Sequence, residues 1–167
     1  MEVTEILSLL QTFLLAGAEV DRASLEANLN ARCDQPSSIQ AFFIICSSPD
    51  IALPVRELAA SIIRGSISRV WLELGPEQKA SIRSNVLAMF QLPSSRQLLL
   101  RLANILAAIA TFDYPDSWPT FVHDVVAASQ SKTELISISM EALELASQRV
   151  RPDMYEVVTT ELCQTFL

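Results

Sequence analysis

Apolar residues recur along this chain at the spacing of an amphipathic helix, and polar turns containing proline or glycine separate the apolar stretches. In the first stretch, residues 3–16, the apolar positions lie mainly three or four residues apart: Ile6, Leu9, Leu10, Phe13 and Leu14. This spacing predicts a helix with one apolar face, which Gly17 ends. A second helix is predicted behind Asp21, a good capping residue. Residues 36–38 are expected to break the chain and to supply a cap for a third helix, residues 39–46.

The middle of the chain repeats the pattern twice. The next predicted helix begins with Pro54 at its first position and reaches Trp71 or Leu74. Four apolar residues mark its inner face: Leu58, Ile62, Ile63 and Ile67. Gly75 and Pro76 separate it from a helix with Ile82, Val86, Met89 and Phe90 on one face. Residues 98–110 are apolar nearly all round, which indicates a helix covered on several sides. Residues 113–117 are expected to cap a helix from Trp118 to Ala128.

Paired helices recurring about every forty residues are typical of HEAT or armadillo repeats, whose units stack because none buries its apolar face alone. The predicted hairpins cover approximately residues 3–47, 53–92, 95–128 and 132–167. We therefore expect an all-α protein, an α-α superhelix of the HEAT-repeat solenoid type with about four hairpins. The last predicted helix reaches Leu167 without a polar cap, so we expect a fragment of a longer solenoid.

Composition narrows the classes of partner. The net charge is −7, which argues against nucleic acid as a direct partner. It suits binding to basic proteins, although a mild acidic excess usually means only a soluble surface. The apolar start follows Glu2 and Glu5 rather than basic residues, and Gln11 interrupts it, so it is not a signal peptide. It is also too short to span a bilayer, and no membrane insertion is expected.

The residues that could carry chemistry do not converge on a site. Cys33, Cys46 and Cys163 are widely spaced and form no metal-binding pattern, so buried, reduced thiols are expected. His123 is the only histidine and has no nucleophile at a recognisable spacing. Asp113 and Asp116 are explained by helix capping. We predict neither an enzyme nor a cofactor or metal site.

Three segments resemble the karyopherin-β family of nuclear transport receptors. Residues 55–60, followed by residues 63–67 and Trp71, resemble the family's second repeat, in which Arg64 and Gly65 here replace Lys and Asn. Residues 105–119 are similar to the third repeat. Residues 118–146 look most like the exportins, especially the receptor for leucine-rich export signals.

This resemblance implies an importin-β N-terminal domain whose hairpins bind the small GTPase Ran in its GTP form. Arg64 matches a basic position that faces the GTPase in the family, and Arg69 is a second candidate contact. Phe43, Asn85 and Asp124 are expected to line the inner surface. Cargo would bind through repeats beyond residue 167, and nucleoporins are a further expected partner.

The implied localisation is shuttling between nucleus and cytoplasm through the nuclear pore. An exportin would bind GTPase and cargo with positive coupling, and an importin with negative coupling. A HEAT-repeat scaffold or adaptor for protein complexes unrelated to nuclear transport is the alternative that the repeat pattern leaves open.

Overall fold

The computed structural model of this chain describes residues 2–17, 21–92, 94–129, 138, 141–146 and 160, and every regular element in them is helical. The predicted all-α class is therefore confirmed. The chain divides into two compact units, Met1–Asn85 and Val86–Leu167. The limits of the four hairpins stay a prediction.

The first unit is built from four helices and the first part of a fifth. They are α1 (Glu2–Leu15), α2 (Arg22–Cys33), α3 (Ile39–Ser47), α4 (Leu53–Val70), a short 3-10 helix (Trp71–Glu73) and α5 (Pro76–Met89), which extends past Asn85. The apolar residues buried at the centre of this unit come from all four complete helices, among them Ile6, Leu29, Phe42 and Ile63. Pro54 lies in the first turn of α4, as predicted.

Two of the predicted helix ends are built differently from the expectation. Asp21 caps α2 by accepting a hydrogen bond from the Ser24 amide at 3.2 Å, as predicted. Ser38 makes no such cap for α3, because its buried hydroxyl donates to the Glu2 carboxylate instead. Gly17 lies two residues beyond the end of α1, and no glycine of the described residues has the positive φ of a glycine cap.

The inner face of α4 differs in part from the prediction. Its buried residues are Val55, Arg56, Ala59, Ala60, Ile63, Ser66, Ile67 and Val70. Leu58 and Ile62 were also predicted to be core residues, but both are only half-buried. The apolar stripe of α4 is wider than the face that neighbouring helices cover, so its edge remains partly open to solvent.

Arg56 is a charged side chain inside this core, with only 4% of its surface exposed. Its Nε donates to the carbonyl oxygen of Cys46 at 2.8 Å, and the Cys46 thiol donates to the carbonyl oxygen of Arg56 at 3.5 Å. The Cys46 carbonyl belongs to the last turn of α3, where carbonyls lack a partner within the helix and a cation is favourable. Arg56 therefore ties the end of α3 to the start of α4.

The second unit contains the end of α5, followed by α6 (Arg96–Asp113) and α7 (Phe121–Ser129). The Ser95 hydroxyl caps α6 by accepting from the Leu98 amide at 3.0 Å. Ten apolar residues of α6 are buried, together with Asp113. As predicted from its composition, this helix is covered on most of its circumference.

The start of α7 lies three residues later than predicted. The amides of Ser117 and Trp118 both donate to the carbonyl oxygen of Asp113, at 2.7 and 2.8 Å. The chain therefore continues as a turn off the end of α6, and residues 113–117 do not cap α7. Trp118 precedes the helix and packs edge-on against Phe121, with ring centroids 5.0 Å apart.

Most of the fourth predicted hairpin lies outside the described residues, as does Cys163. Ile138, Ala142, Leu143 and Ala146 are described and buried. Cys33 and Cys46 are free and buried, as predicted, and burial raises the pKa of both thiols, that of Cys33 to about 12. Among the described helices, none combines the length and apolar character that crossing a membrane requires.

Candidate partner-binding surface

The outer face of α4 carries the first of the predicted contact residues, Arg64. Its side chain is exposed, and within the described part of the chain it makes no hydrogen bond or ion pair. A guanidinium presents several donors that suit the carboxylates of a partner. Of the five candidates, Arg64 is the one whose charge is free for such a contact.

Arg69 lies five residues further along α4, but its guanidinium already makes hydrogen bonds within the chain. Nε and Nη2 both donate to Oδ1 of Asp34, at 3.0 and 2.6 Å, and Nη1 donates to the carbonyl oxygen of Gly65 at 2.8 Å. This ion pair joins the end of α2 to the end of α4. Arg69 thus has a structural role that the sequence did not reveal.

The electrostatics of Asp34 reflect this ion pair. Burial works to raise the pKa of its carboxyl group, but the hydrogen bonds from Arg69 and Ser66 and the charge of Arg69 outweigh that effect. The pKa therefore lies below its ordinary value of 3.8.

The three residues expected on the inner surface differ in accessibility. Phe43 is only 2% exposed and packs in the core of the first unit, which corrects its prediction as a surface residue. Asn85 is exposed on α5, beside the exposed small residues Ser81 and Ala88. An aromatic residue at position 43 is explained by core packing, whereas Asn85 remains available to a partner.

Asp124, the last of the five candidates, is half-buried on α7. Its Oδ2 accepts hydrogen bonds from the Trp118 indole at 2.7 Å and from the Thr120 hydroxyl at 2.8 Å. The carboxylate therefore fixes the tryptophan at the start of α7. Of the five candidates, Arg64 and Asn85 are the two whose side chains are exposed and make no hydrogen bond or ion pair within the described residues.

A groove between α1, α2 and α4 was not anticipated from the sequence. It has a volume of about 170 Å³, and its apolar lining consists of Phe13, Leu29, Leu58 and Ile62. Leu29 is buried and the other three are half-buried. Polar side chains of Glu26, Asn30 and Ser61 also line it, and Gly65 completes the α4 side.

One feature of the sequence could have indicated this groove. Gly65 lies inside an 18-residue helix, where glycine is a poor helix former, and the residues that line the α4 side lie at steps of three and four. Outside the backbone of its own helix, no atom lies within 4 Å of the position that a Cβ on Gly65 would occupy. The packing of the chain therefore does not require glycine at this position.

The residues considered for chemistry differ in exposure. His123 is exposed on α7, and Asp113 is buried at the end of α6. Within the described residues, no group of three or more histidine, cysteine, aspartate or glutamate side chains could hold a metal ion. The described surface includes an exposed cation at Arg64, an exposed amide at Asn85 and an apolar groove, each of which is accessible to a partner.

Two protein families match consecutive stretches of the chain. The importin-beta N-terminal domain matches residues 25–92, and the exportin 1-like protein family matches residues 95–151. The first stretch contains most of α2 and all of α3, α4 and α5, and the second contains α6 and α7. The matches thus cover most of the helices described above.

Individual relatives agree with these matches at low identity. Importin-4 of Mus musculus is 25% identical over 168 aligned positions, which cover 98% of this chain and 15% of that protein. The importin beta-like protein kap113 of Schizosaccharomyces pombe is 28% identical over 110, covering 63% of this chain and 11% of that protein. Exportin-1 of the same yeast is 28% identical over 101 aligned positions, which cover 56% of this chain and 9% of that protein.

The chain therefore spans only about a tenth to a seventh of the length of these relatives. The family matches and the helical elements together confirm the predicted HEAT-repeat fold class. The resemblance noted in the sequence is likewise confirmed, because the matching families and relatives are importins and exportins. This chain belongs to the karyopherin-β family of nuclear transport receptors.

Proposed function

We propose that this chain is the N-terminal part of an exportin-like nuclear transport receptor and that its helical hairpins bind Ran in the GTP form. Family membership supports a transport receptor, and the match of residues 95–151 to the exportin 1-like family supports the direction of transport. The observation that carries the binding proposal is Arg64. It is an exposed arginine without an intramolecular partner among the described residues, on a helix that matches the importin-beta N-terminal domain.

The proposal includes the activities of a longer protein. Cargo binds repeats beyond residue 167, nucleoporins guide passage through the nuclear pore, and the receptor shuttles between nucleus and cytoplasm. The chain acts by binding, without catalysis and without a cofactor. If the receptor is an exportin, GTPase and cargo each raise the affinity for the other, and an importin gives the opposite sign.

The test is a binding measurement with purified Ran loaded with GTP or with GDP. We expect the chain to bind the GTP form more tightly. Arg64→Glu should weaken that binding by about tenfold or more, because reversing a contact charge costs on the order of 1.4 kcal/mol or more. Thermal unfolding should change little, since within the described residues Arg64 makes no contact that the fold needs.

Two matched variants separate a specific contact from a general charge effect. Arg64→Lys keeps the charge and should lose less affinity than Arg64→Glu. Arg96→Glu reverses another exposed arginine, at the start of α6, and should leave binding nearly unchanged. Asn85→Lys adds a charge to the exposed face of α5 and tests whether that face contacts Ran.

Equal binding of both nucleotide forms, or none, would favour a HEAT-repeat scaffold unrelated to nuclear transport, provided a longer chain behaves in the same way. Nucleotide-dependent binding that survives Arg64→Glu would keep the function and remove Arg64 from the contact. Unfolding of Arg64→Glu would assign the residue a structural role instead.

A further inference from the structure

The turn between α3 and α4, residues 48–54, contains a feature that the proposed function does not use. Ser48 is followed by Pro49, and it is the one serine or threonine of the 167-residue sequence that precedes a proline. We propose that Ser48 is a phosphorylation site for a proline-directed protein kinase and that the phosphate weakens the end of α3. This modification requires no contact with Ran, so it stands or falls independently of the proposed function.

A proline directly after the acceptor serine is what this class of kinase selects. The kinase holds its substrate as an extended segment, and proline has no backbone N–H that binding would leave without a partner. Ser48 already has extended backbone, with φ −77° and ψ 112°, as expected for a residue that precedes proline. The acceptor residue therefore has the backbone conformation that substrate binding requires.

The Ser48 hydroxyl helps to end α3. It donates to the carbonyl oxygen of Ile44 at 2.7 Å, and the Ser48 backbone amide donates to the same oxygen at 3.1 Å. The Ser47 hydroxyl is a third donor to this oxygen, at 3.0 Å. The last carbonyls of a helix lack partners within the helix, so these bonds stabilise its end.

The turn that follows is accessible and is held by few hydrogen bonds. Residues 49–50 and 52–54 are exposed, and Ser48 is half-buried. The Ile51 amide donates to the carbonyl oxygen of Ser48 at 3.2 Å. A kinase that binds this segment in extended form must open that bond and the bond from the Ser48 hydroxyl to Ile44. Such a local opening costs far less free energy than unfolding the surrounding helices.

Phosphorylation reverses the effect of this hydroxyl on α3. The bond between the γ-phosphorus of ATP and its bridging oxygen breaks, a bond from that phosphorus to Ser48 Oγ forms, ADP leaves, and the hydroxyl proton passes to a carboxylate of the kinase. Ser48 Oγ then has no proton to donate to Ile44, and the phosphate carries nearly two negative charges. These charges lie at the carboxyl end of α3, where the helix dipole disfavours an anion.

The neighbouring sequence supplies no cation that would offset these charges. Residues 33–55 contain neither lysine nor arginine, and Asp50 adds a carboxylate two residues after the acceptor. Arg56 follows in α4, but only 4% of its surface is exposed, and its Nε donates to the carbonyl oxygen of Cys46. Because a phosphate is strongly hydrated, moving it to a buried guanidinium is costly. The arrangement therefore favours loss of a hydrogen bond over formation of an ion pair.

The first experiment compares the folded 167-residue chain with a synthetic peptide of residues 45–53. Both are treated with radiolabelled ATP and a recombinant mitogen-activated protein kinase, and mass spectrometry locates the phosphate. We expect one phosphate per chain, on Ser48, with a kcat/KM for the chain within about tenfold of that for the peptide, because the turn opens locally. A chain that is not phosphorylated, is phosphorylated on another residue, or reacts more than about a hundredfold more slowly than the peptide would overturn the assignment of the site.

Three variants of the chain test how the kinase recognises the turn. Ser48→Ala should abolish incorporation, and Pro49→Ala should lower kcat/KM by about tenfold or more because it restores a backbone N–H. Ser47→Ala is the matched control, since it removes the neighbouring hydroxyl and should change kcat/KM less than about twofold. Circular dichroism checks that all three retain the helical content of the wild type. Phosphorylation of Ser48→Ala, or an undiminished rate for Pro49→Ala, would exclude a proline-directed site at Ser48.

The second experiment measures the consequence for α3. The phosphorylated chain should have a Tm about 2–4 °C lower than the unmodified chain, and treatment with a phosphatase should restore it. Unphosphorylated Ser48→Ala should lose less, because it lacks the bond to Ile44 but gains no charge. An unchanged Tm would overturn the weakening of α3. A higher Tm would also overturn it and would mean that Arg56, whose Nη2 has no hydrogen-bond partner within the described residues, binds the phosphate.

Discussion

The helices α4 and α6 are both 18 residues long, but their outer faces differ. In α6 only Arg96, Gln97 and Phe112 are exposed, all near its ends. In α4 the exposed residues include a run in the second half of the helix: Arg64, Gly65, Ser68 and Arg69. A helix that is exposed only near its ends contributes mainly to stability, whereas one that exposes polar groups throughout its second half can also contact a partner. Substitutions should separate these two roles.

The polar residues within α6 show how a covered helix accommodates them. Asn104 is half-buried, and its Nδ2 donates to the carbonyl oxygen of Leu100 at 2.8 Å, within the same helix. Arg101 is also half-buried, with a buried Nε that has no hydrogen-bond partner in the described structure. Neither residue creates an open polar face comparable with that of α4.

The largest expected effect is on α6. Leu106 is fully buried, so Leu106→Ala should lower the free energy of unfolding by about 2–5 kcal/mol through lost apolar burial and the cavity that remains. Urea unfolding followed by circular dichroism measures this change.

The matched control is Leu72→Ala. Leu72 is 71% exposed in the 3-10 helix after α4, so the same change should alter the free energy of unfolding by less than about 0.5 kcal/mol. If the two variants lost similar stability, the distinction between a covered and an open part of the chain would be wrong.

The second-largest expected effect compares an arginine on the buried face of α4 with one on its exposed face. Arg56→Met removes a donor from the buried carbonyl oxygen of Cys46 while largely preserving side-chain volume. We expect the free energy of unfolding to fall by about 1–2 kcal/mol, since a buried carbonyl left without a partner retains its desolvation penalty. Arg64→Met makes the same substitution on the exposed face and should leave stability almost unchanged.

An increase in stability of Arg56→Met would contradict this expectation. It would mean that the cost of burying the guanidinium, whose Nη2 has no hydrogen-bond partner among the described residues, exceeds the value of its hydrogen bond. The free energies of unfolding of both variants, measured side by side in urea, distinguish these outcomes.

The sequence predicted the helices of both units well because their periodicity extends over several turns. It predicted the burial of Ile63 and Ile67 correctly but not the partial exposure of Leu58 and Ile62. An apolar stripe shows which face of a helix avoids water, but the neighbours that cover the edge of that stripe come from distant parts of the chain. The sequence of α4 could therefore indicate only one side of the groove, because α1 and α2 supply the other side.

The candidate contact residues were harder to predict for the same reason. Arg64 and Arg69 are both arginines of α4, and the sequence does not distinguish their roles. In the structure, Arg69 forms the ion pair with Asp34. The start of α7 was also misplaced, because Trp118 looked like the first apolar residue of the helix. The Trp118 indole donates a hydrogen bond to the Asp124 carboxylate, and the Trp118 backbone amide donates to the carbonyl oxygen of Asp113. Such competition between local partners depends on three-dimensional positions.

The smallest expected effect concerns the ion pair between Asp34 and Arg69, which joins α2 to α4. The pKa of Asp34 is lower in the folded chain than its ordinary value, so the pair contributes stability above about pH 4, and that contribution is lost as the pH falls through the folded pKa. Both side chains are partly exposed, which limits the contribution to at most about 1 kcal/mol.

Asp34→Asn should therefore be less stable than the wild type at pH 6, and the difference should shrink as the pH falls towards 2.5. Asp50→Asn removes an exposed carboxylate that has no ion pair within the described residues and should show a smaller difference at pH 6. Urea unfolding across this pH range measures both differences. If the Asp34→Asn difference did not depend on pH, the interaction of the ionised Asp34 carboxylate with Arg69 would contribute nothing to stability.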